Sequence, residues 1–325
     1  MAKRNNLFKE EVWQTVNIEN KMLLDDYVLE LKSKGRAEKT IYQYTADIRG
    51  FFCWVAEHMN NISVLQLKKR AFRTFFLSMQ EMGISAARVN RFQSSIRNLL
   101  AFAEDDEDEY EYDKNAMRAI KGVQGEKVRD IVFLKDDQVE IILDTLLNEK
   151  KYEMALYLSL SYDSAARRNE ILQVNKEGFL ENKMTNEVVG KRGKKFQLLY
   201  FDRTREIAKL WFEERGDDGI DSLWVAGKGE KARARSYESL YNFCLYFRKI
   251  ILEKTGEEIA INPHCFRHSS LENYGTGTHH VLKELGKDQL DLKVLKIIAH
   301  HEDISTTESY LKNKDDELLF ETFGV

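Results

Sequence analysis

The sequence predicts a mostly helical protein of two domains, with one small β-sheet in the second domain. Its 325 residues are more than one typical domain holds, and its 43% hydrophobic content is enough to build a core in each of two. Apolar residues recur at helical spacing along most of the chain, and only one short region alternates as strands do. No stretch has the roughly 20 uncharged apolar residues of a membrane span, and the N-terminus lacks the apolar core of a signal peptide. Three scattered cysteines fit a reducing compartment, so we expect a cytoplasmic protein without a membrane partner.

The first domain is predicted over residues 15–110 and is helical throughout. Two apolar stripes at steps of three and four indicate long amphipathic helices. The first stripe contains Ile41, Tyr44, Ile48, Phe51, Phe52 and Val55, and the second contains Val89, Phe92, Ile96, Leu99 and Leu100. Ser85 precedes the second stripe and is predicted to be its N-cap.

Charge is distributed unevenly along the chain. The formal net charge is −4, yet residues 1–103 contain 16 Lys and Arg against 10 Asp and Glu, whereas residues 104–113 contain eight acids and no base. The overall pI therefore hides a basic N-terminal part. Eight basic residues between the apolar stripes are candidates for binding DNA phosphates, with an ordinary solvated surface as the alternative: Arg36, Lys39, Lys68, Lys69, Arg70, Arg88, Arg91 and Arg97.

The second domain is predicted over residues 128–325, after a linker at 111–127 that follows the acidic run. The linker lacks apolar periodicity, which is typical of a connecting segment. Within the second domain, EVVGK at 187–191 and FQLLYF at 196–201 flank the polar turn RGKK and predict a β-hairpin. The rest is predicted to be helical.

Six of the seven histidines lie between residues 264 and 301, and the only proline, Pro263, directly precedes the first of them. Proline suits the first turn of a helix, so His264 and Arg267 are expected on one face near a helix N-terminus, where phosphate binds well. An arginine cannot ligate a metal and repels it. Zinc held by His264, His268 and the later histidine pairs is the less favoured alternative, because the spacings match no standard zinc site.

Three further motifs join this one in a fixed order. SAARRNEI places Arg167 three residues before Glu170, VVGKRGKKF carries two candidate lysines, and HHEDISTTESY places His301 nine residues before Tyr310. With these motifs the chain resembles the tyrosine recombinase (phage integrase) family, from the helical DNA-clamping domain to the C-terminus.

The resemblance implies a catalytic role for six residues and a supporting role for Glu170. The six are Arg167, Lys191, His264, Arg267, His301 and Tyr310. Lys194 is the alternative to Lys191, and Arg168 is a minor alternative to Arg167. The family usually has Gly-Leu before the first arginine, where this chain has Ala165 and Ala166, and a glycine before the third histidine, where it has His300. Adjacent helical residues point about 100° apart, so we expect only one of His300 and His301 to face the phosphate.

The resemblance also implies the fold, the chemistry and the partners. It implies a C-shaped clamp, made of a core-binding and a catalytic domain, that cleaves and rejoins DNA through a 3′-phosphotyrosine without a metal ion or nucleotide cofactor. The implied partners are double-stranded recombination sites, other copies of the chain in a tetramer on synapsed DNA, and accessory DNA-bending proteins; the free protein is expected to be a monomer or weak oligomer. A type IB topoisomerase-like enzyme and a catalytically idle DNA-binding regulator are the alternatives.

Overall fold

A computed structural model describes residues 7–124 and 131–308 of the chain. The chain divides into two compact units, residues 1–129 and 130–325, and each is described by itself. The prediction of a mostly helical chain with a small β-sheet is confirmed. None of the helices in the described ranges combines the length and the low charge that crossing a bilayer requires.

The described part of the first unit contains five α-helices. They are α1 (Glu10–Thr15), α2 (Ile18–Ser33), α3 (Glu38–His58), α4 (Lys69–Glu81) and α5 (Ala86–Asp105). The predicted stripes form its core, since Ile48, Phe51, Val55, Ile96 and Leu99 are all fully buried. The Ser85 hydroxyl accepts a hydrogen bond from the Arg88 backbone N–H, so the predicted N-cap of α5 is confirmed.

The chain after α5 differs from the linker expected at 111–127. Tyr112, Met117 and Ile120 are buried in the core of the first unit. Arg97 on α5 donates hydrogen bonds to the backbone carbonyls of Met117 and Ile120, which fastens this segment to the unit. The apolar residues are spaced irregularly because the segment is not a helix, and this is why its packing leaves no periodic signal in the sequence.

The second unit contains nine helices and four short strands in its described part. They are α6 (Asp136–Asn148), α7 (Tyr152–Ser164), α8 (Arg168–Leu172), β1 (Met184–Val189), β2 (Lys195–Leu199), α9 (Asp202–Arg215), β3 (Val225–Ala226), β4 (Arg233–Ala234), α10 (Tyr241–Thr255), α11 (Pro263–Gly275), α12 (Val281–Leu285), α13 (Leu292–Ile298) and α14 (Ile304–Glu308). Strands β1 and β2 form the predicted antiparallel hairpin, with Val188 opposite Phe196. The second pair, β3 and β4, is too short to show alternation and was not predicted.

Helix α7 lies at the centre of the second unit. Every residue from Ala155 to Ser164 is buried, so α7 has no polar face. Neighbouring helices α6, α9 and α11 pack around it. Because α7 ends directly before the first arginine motif and α11 carries the second, this packing brings the two motifs together.

Candidate active site

The first arginine lies at a sharp turn between α7 and α8. Ala165 has a left-handed backbone conformation (φ +50°, ψ +25°), and Arg167 is extended immediately before α8. The carboxylate of Glu170 accepts a hydrogen bond from the Arg167 backbone N–H at 2.7 Å, and it contacts the Arg167 guanidinium at 3.1 Å. Because Glu170 is buried, its carboxylate is held in place, and its two contacts keep Arg167 in one orientation. Arg168 points elsewhere, with its guanidinium 3.6 Å from the centre of the Tyr237 ring.

The second arginine lies inside the unit on α11, which begins at Pro263 as predicted. The Asn262 side chain caps this helix by accepting a hydrogen bond from the His264 backbone N–H at 3.0 Å. Arg267 is completely buried. Its two terminal nitrogens donate hydrogen bonds to the carbonyl oxygens of Ala165 and Ala299, each at 2.6 Å. One guanidinium thus joins the turn before Arg167 to the loop that carries the last histidine pair.

His301 completes this buried network. Its Nε2 accepts a hydrogen bond from Arg267, which can only donate, and a neutral ring then carries its proton on Nδ1. The Nδ1–H donates to the Thr307 hydroxyl at 2.9 Å. Burial, followed by the charges of Arg267 and Arg167, lowers the pKa of His301 to about 3. His301 is therefore neutral at pH 7, and both ring nitrogens are engaged by protein atoms.

His300 takes a different direction from His301. It has a left-handed conformation (φ +53°), so the pair is not helical, and both histidines line the same pocket instead of only one. The His300 ring stacks on Phe196 of β2, with ring centres 3.8 Å apart and planes inclined by 20°. Burial, then the charges of Lys194, Arg267 and Arg167, lower the pKa of His300 to about 4.

The β1–β2 hairpin brings its basic tip to the same place. The tip turns over residues 190–194, where the Gly190 N–H donates to the Lys194 carbonyl at 2.7 Å. Arg192 at the tip forms an ion pair with Glu302 at 2.6 Å. Lys191 and Lys194 both line the pocket, so the geometry keeps both as candidates for the catalytic lysine.

These segments enclose a pocket of about 190 Å³ in the second unit. It carries four cationic side chains and therefore suits an anionic group such as a DNA phosphate. Its lining consists of Arg167, Lys191, Arg192, Lys194, Phe196, His300, His301, Glu302 and Asp303. Arg267 lies behind this lining and stabilises it.

His264 lies on the first turn of α11 and is exposed. Partial burial, followed by the charges of Arg267 and Arg167, lowers the pKa of His264, so it too is neutral near pH 7. Tyr310 lies outside the described residues, as does the C-terminal tail that follows it. The contacts of Phe196 and Thr307 were not predicted from the sequence, where the only signal for Thr307 is its place in the motif that ends at Tyr310.

One further group could hold a metal ion. The ligand atoms of Asp136, His279 and His280 lie within 4.8 Å of one another. However, an Arg203 nitrogen lies 3.0 Å from Nδ1 of His280, and a fixed cation there opposes a bound metal. This group is separate from the pocket lining, and it differs from the zinc alternative in the sequence because His264 and His268 are not part of it.

The eight candidate DNA-binding residues of the first unit fall into two sets. Arg91 forms a two-pronged ion pair with the buried Asp47, at 2.9 and 2.8 Å, and Arg97 binds backbone carbonyls, so both have structural partners. The others lie at or just before helix N-termini: Arg36 and Lys39 at α3, Lys68, Lys69 and Arg70 at α4, and Arg88 at α5. Helix N-termini favour anions, so this second set suits phosphate.

Comparison with known proteins agrees with this geometry. The phage integrase family model matches residues 132–317, and the N-terminal SAM-like domain of phage integrases matches residues 24–107. The SPbeta prophage-derived recombinase-like protein YomM of Bacillus subtilis (strain 168) is 25% identical over 95% of this chain and 91% of its own length. Tyrosine recombinase XerD of Oceanobacillus iheyensis is 22% identical over 85% of this chain and 88% of its own length.

Solved structures show the same fold at low sequence identity. A lambda integrase(75-356) dimer bound to a COC' core site has a TM-score of 0.67 at 14% identity, covering 89% of this chain and 94% of the other. XerH bound to a palindromic difH substrate has a TM-score of 0.66 at 18% identity, covering 90% and 82%. A lambda integrase tetramer bound to a Holliday junction has a TM-score of 0.67 at 15% identity, covering 90% and 77%. The family model alone spans more than half of the chain, and the chain belongs to the phage integrase family of tyrosine recombinases.

Proposed function

We propose that this protein is a site-specific DNA recombinase that cleaves and rejoins strands through a covalent bond between Tyr310 and a 3′-phosphate. The observation that carries the proposal is the single cationic pocket formed by Arg167, the hairpin lysines and His301, with Arg267 bonded behind it. In this pocket a phosphodiester would meet several fixed positive charges. Family membership supplies the reaction class.

The proposed chemistry conserves the energy of the phosphodiester bond. The Tyr310 hydroxyl oxygen attacks the scissile phosphorus, the bond from phosphorus to the 5′-oxygen breaks, and a phosphotyrosine forms. Rejoining reverses these steps with a different 5′-hydroxyl. No external energy source is needed, because each bond that breaks is replaced by one of similar energy.

Each residue of the site is assigned the role in this reaction that fits its chemical type. Negative charge grows on the non-bridging oxygens in the transition state, and the Arg167 guanidinium, fixed by Glu170, is placed to stabilise it. Neutral His264 suits removal of the Tyr310 proton. Lys191 lines the pocket and is proposed to give a proton to the departing 5′-oxygen. His301 would contact the phosphate by exchanging one of its two protein partners.

We further propose that the first unit binds duplex DNA through the basic helix N-termini and not through Arg91. Arg70→Ala should weaken binding and reduce the slope of log affinity against log salt by about one. Arg91→Ala should leave that slope nearly unchanged, because Arg91 already pairs with Asp47. Titration of duplex DNA at several salt concentrations measures both slopes.

Assembly and partners follow as proposals from the relatives. A tetramer on two synapsed sites fits the lambda integrase tetramer bound to a Holliday junction, with accessory DNA-bending proteins as further partners. The place of action is then the compartment that holds the DNA, which is the cytoplasm for a bacterial or phage-encoded chain.

The deciding experiment captures the covalent intermediate. Wild type and Tyr310→Phe are expressed in cells, which are lysed in strong detergent, and DNA that stays attached to the protein is sequenced. We expect adducts with the wild type alone, at one repeated inverted sequence. Adducts at scattered sequences, together with relaxation of plasmids that lack a repeated site, would favour the topoisomerase alternative. Tight DNA binding without adducts would favour the idle regulator.

A further inference from the structure

His300 directly precedes His301, and its ring contacts the hairpin that carries the proposed catalytic lysine. The ring stacks on Phe196, with a centre-to-centre distance of 3.8 Å. A glycine could keep the left-handed backbone but could not make this contact. The contact therefore depends on the side chain at position 300.

The Phe196 ring also packs against the backbone of the residue before Lys191. A Cβ atom built on Gly190 would lie 2.6 Å from the Phe196 ring, which means that the ring already packs against the Gly190 backbone. Gly190 directly precedes Lys191. A continuous path of contacts therefore runs from the His300 ring through the Phe196 ring to the residue before Lys191.

A second contact joins the same two segments. Arg192 at the hairpin tip pairs with Glu302, two residues after His300. Both side chains are more than half exposed, so water and salt weaken this pair. The half-buried ring stack is the stronger of the two connections and does not depend on salt.

Resting on the proposed function, we propose that His300 is a positioning residue that fixes the hairpin so that Lys191 meets the leaving oxygen. His300 makes no contact with the reacting atoms in this role. The next residue, His301, is hydrogen-bonded to Arg267. The stack of His300 on Phe196 therefore fixes the position of the hairpin, and with it Lys191, relative to the arginines of the site. Loss of the ring should misplace Lys191 and leave the phosphate-binding arginines in position.

Three variants of His300 separate the ring from the backbone. His300→Gly removes the side chain and keeps the left-handed backbone, and His300→Asn keeps a side chain that tolerates this conformation without a ring. His300→Tyr keeps an aromatic ring and is the matched control. Equal defects in the Gly and Asn variants, with near-normal behaviour of the Tyr variant, would assign the effect to the ring.

The first readout is cleavage of two DNA substrates that contain the captured site. One is ordinary DNA, and in the other a sulfur replaces the 5′-bridging oxygen, so that the leaving group needs no proton. We expect His300→Gly and His300→Asn to cleave ordinary DNA on the order of 10- to 100-fold more slowly than the wild type, and to regain most of that loss on the sulfur DNA. An equal loss on both substrates would overturn the proposal, because His300 would then act on the phosphate through His301.

The second readout needs no DNA. Trypsin cuts after Lys and Arg, and the hairpin tip offers Lys191, Arg192, Lys194 and Lys195. We expect the tip of folded His300→Gly and His300→Asn to be cut several-fold faster than that of the wild type, with His300→Tyr unchanged. Equal cutting rates in all four proteins would overturn the proposal. A wild type that forms no adduct with either DNA would instead overturn the proposed function and this role together, whatever the trypsin result.

Discussion

Replacing Arg267 by lysine tests whether this arginine stabilises the second unit, independently of the catalytic role that the family resemblance implies. Its guanidinium is fully buried and donates from two different nitrogens to the carbonyls of Ala165 and Ala299. Lysine has a single nitrogen, which cannot occupy both positions. At least one buried carbonyl should therefore lose its partner in Arg267→Lys, although the positive charge is kept.

The expected decrease in the free energy of unfolding follows from the carbonyl that loses its hydrogen bond. A buried carbonyl without a hydrogen bond costs about 1–3 kcal/mol. This is a large part of the roughly 5–15 kcal/mol that holds a domain folded. For a unit of this size, each kcal/mol lowers the melting temperature by about 2–4 °C, so we expect Arg267→Lys to melt roughly 2–12 °C below the wild type.

Calorimetry of the full chain measures the melting temperature of the second unit, and hydrogen exchange of peptides around Ala165 and Ala299 shows where protection is lost. The matched control is Arg248→Lys, because Arg248 is only partly buried: it donates to the Ile261 carbonyl at 2.8 Å and to the Tyr241 hydroxyl at 3.0 Å, and water can replace the partner that a lysine loses there. Arg267→Lys should be clearly less stable than this control. Equal melting temperatures would refute the reasoning that the two carbonyls depend on one guanidinium.

Three further predictions concern other parts of the molecule. Lys191→Ala should slow cleavage by about 100-fold or more at nearly unchanged DNA affinity, and Lys194→Ala by only a few-fold; the reverse order in single-turnover cleavage would move the general acid to Lys194. His301 has a folded-state pKa of about 3 against 6.5 unfolded, so stability should fall as pH drops below 6.5. From pH 7.5 to 5, denaturant titrations should show the wild type losing about 2 kcal/mol more than His301→Gln, because His300, with a pKa of about 4, contributes its own loss in both proteins; equal losses would contradict the low pKa of His301. Asp47→Asn should destabilise the first unit by about 1–2 kcal/mol in thermal unfolding, because it weakens the pair between the buried Asp47 and the partly exposed Arg91; an unchanged melting temperature would show that this pair contributes nothing.

The sequence predicted the parts of the fold that depend on local periodicity. The stripes of α3 and α5 are buried as expected because an apolar residue at every third or fourth position marks the face of a helix that packs. The hairpin at Val188 and Phe196 and the start of α11 at Pro263 were predicted for similar local reasons. Membership of the family was predicted from the order of the motifs, which is also a property of the linear sequence.

The contacts that the sequence did not predict join residues far apart in the chain. The ion pair of Asp47 with Arg91 spans 44 positions, and Arg91 therefore looked like a surface cation. The left-handed conformations of Ala165 and His300 could not be predicted from the sequence either, because glycine is the residue that usually marks such a backbone. Both positions keep the conformation that a glycine would adopt while carrying a side chain.

Because Arg267 joins loops that are far apart in the chain, it affects when during synthesis a DNA-cutting protein can become active. A ribosome delivers Arg167 and the hairpin long before α11 and the loop at Ala299, and the guanidinium that binds these loops together arrives between them. An unfinished or prematurely terminated chain therefore lacks the bonds that hold the first arginine motif and the last histidine pair together. The capacity to break the genome should appear only when the second unit has been completed and folded.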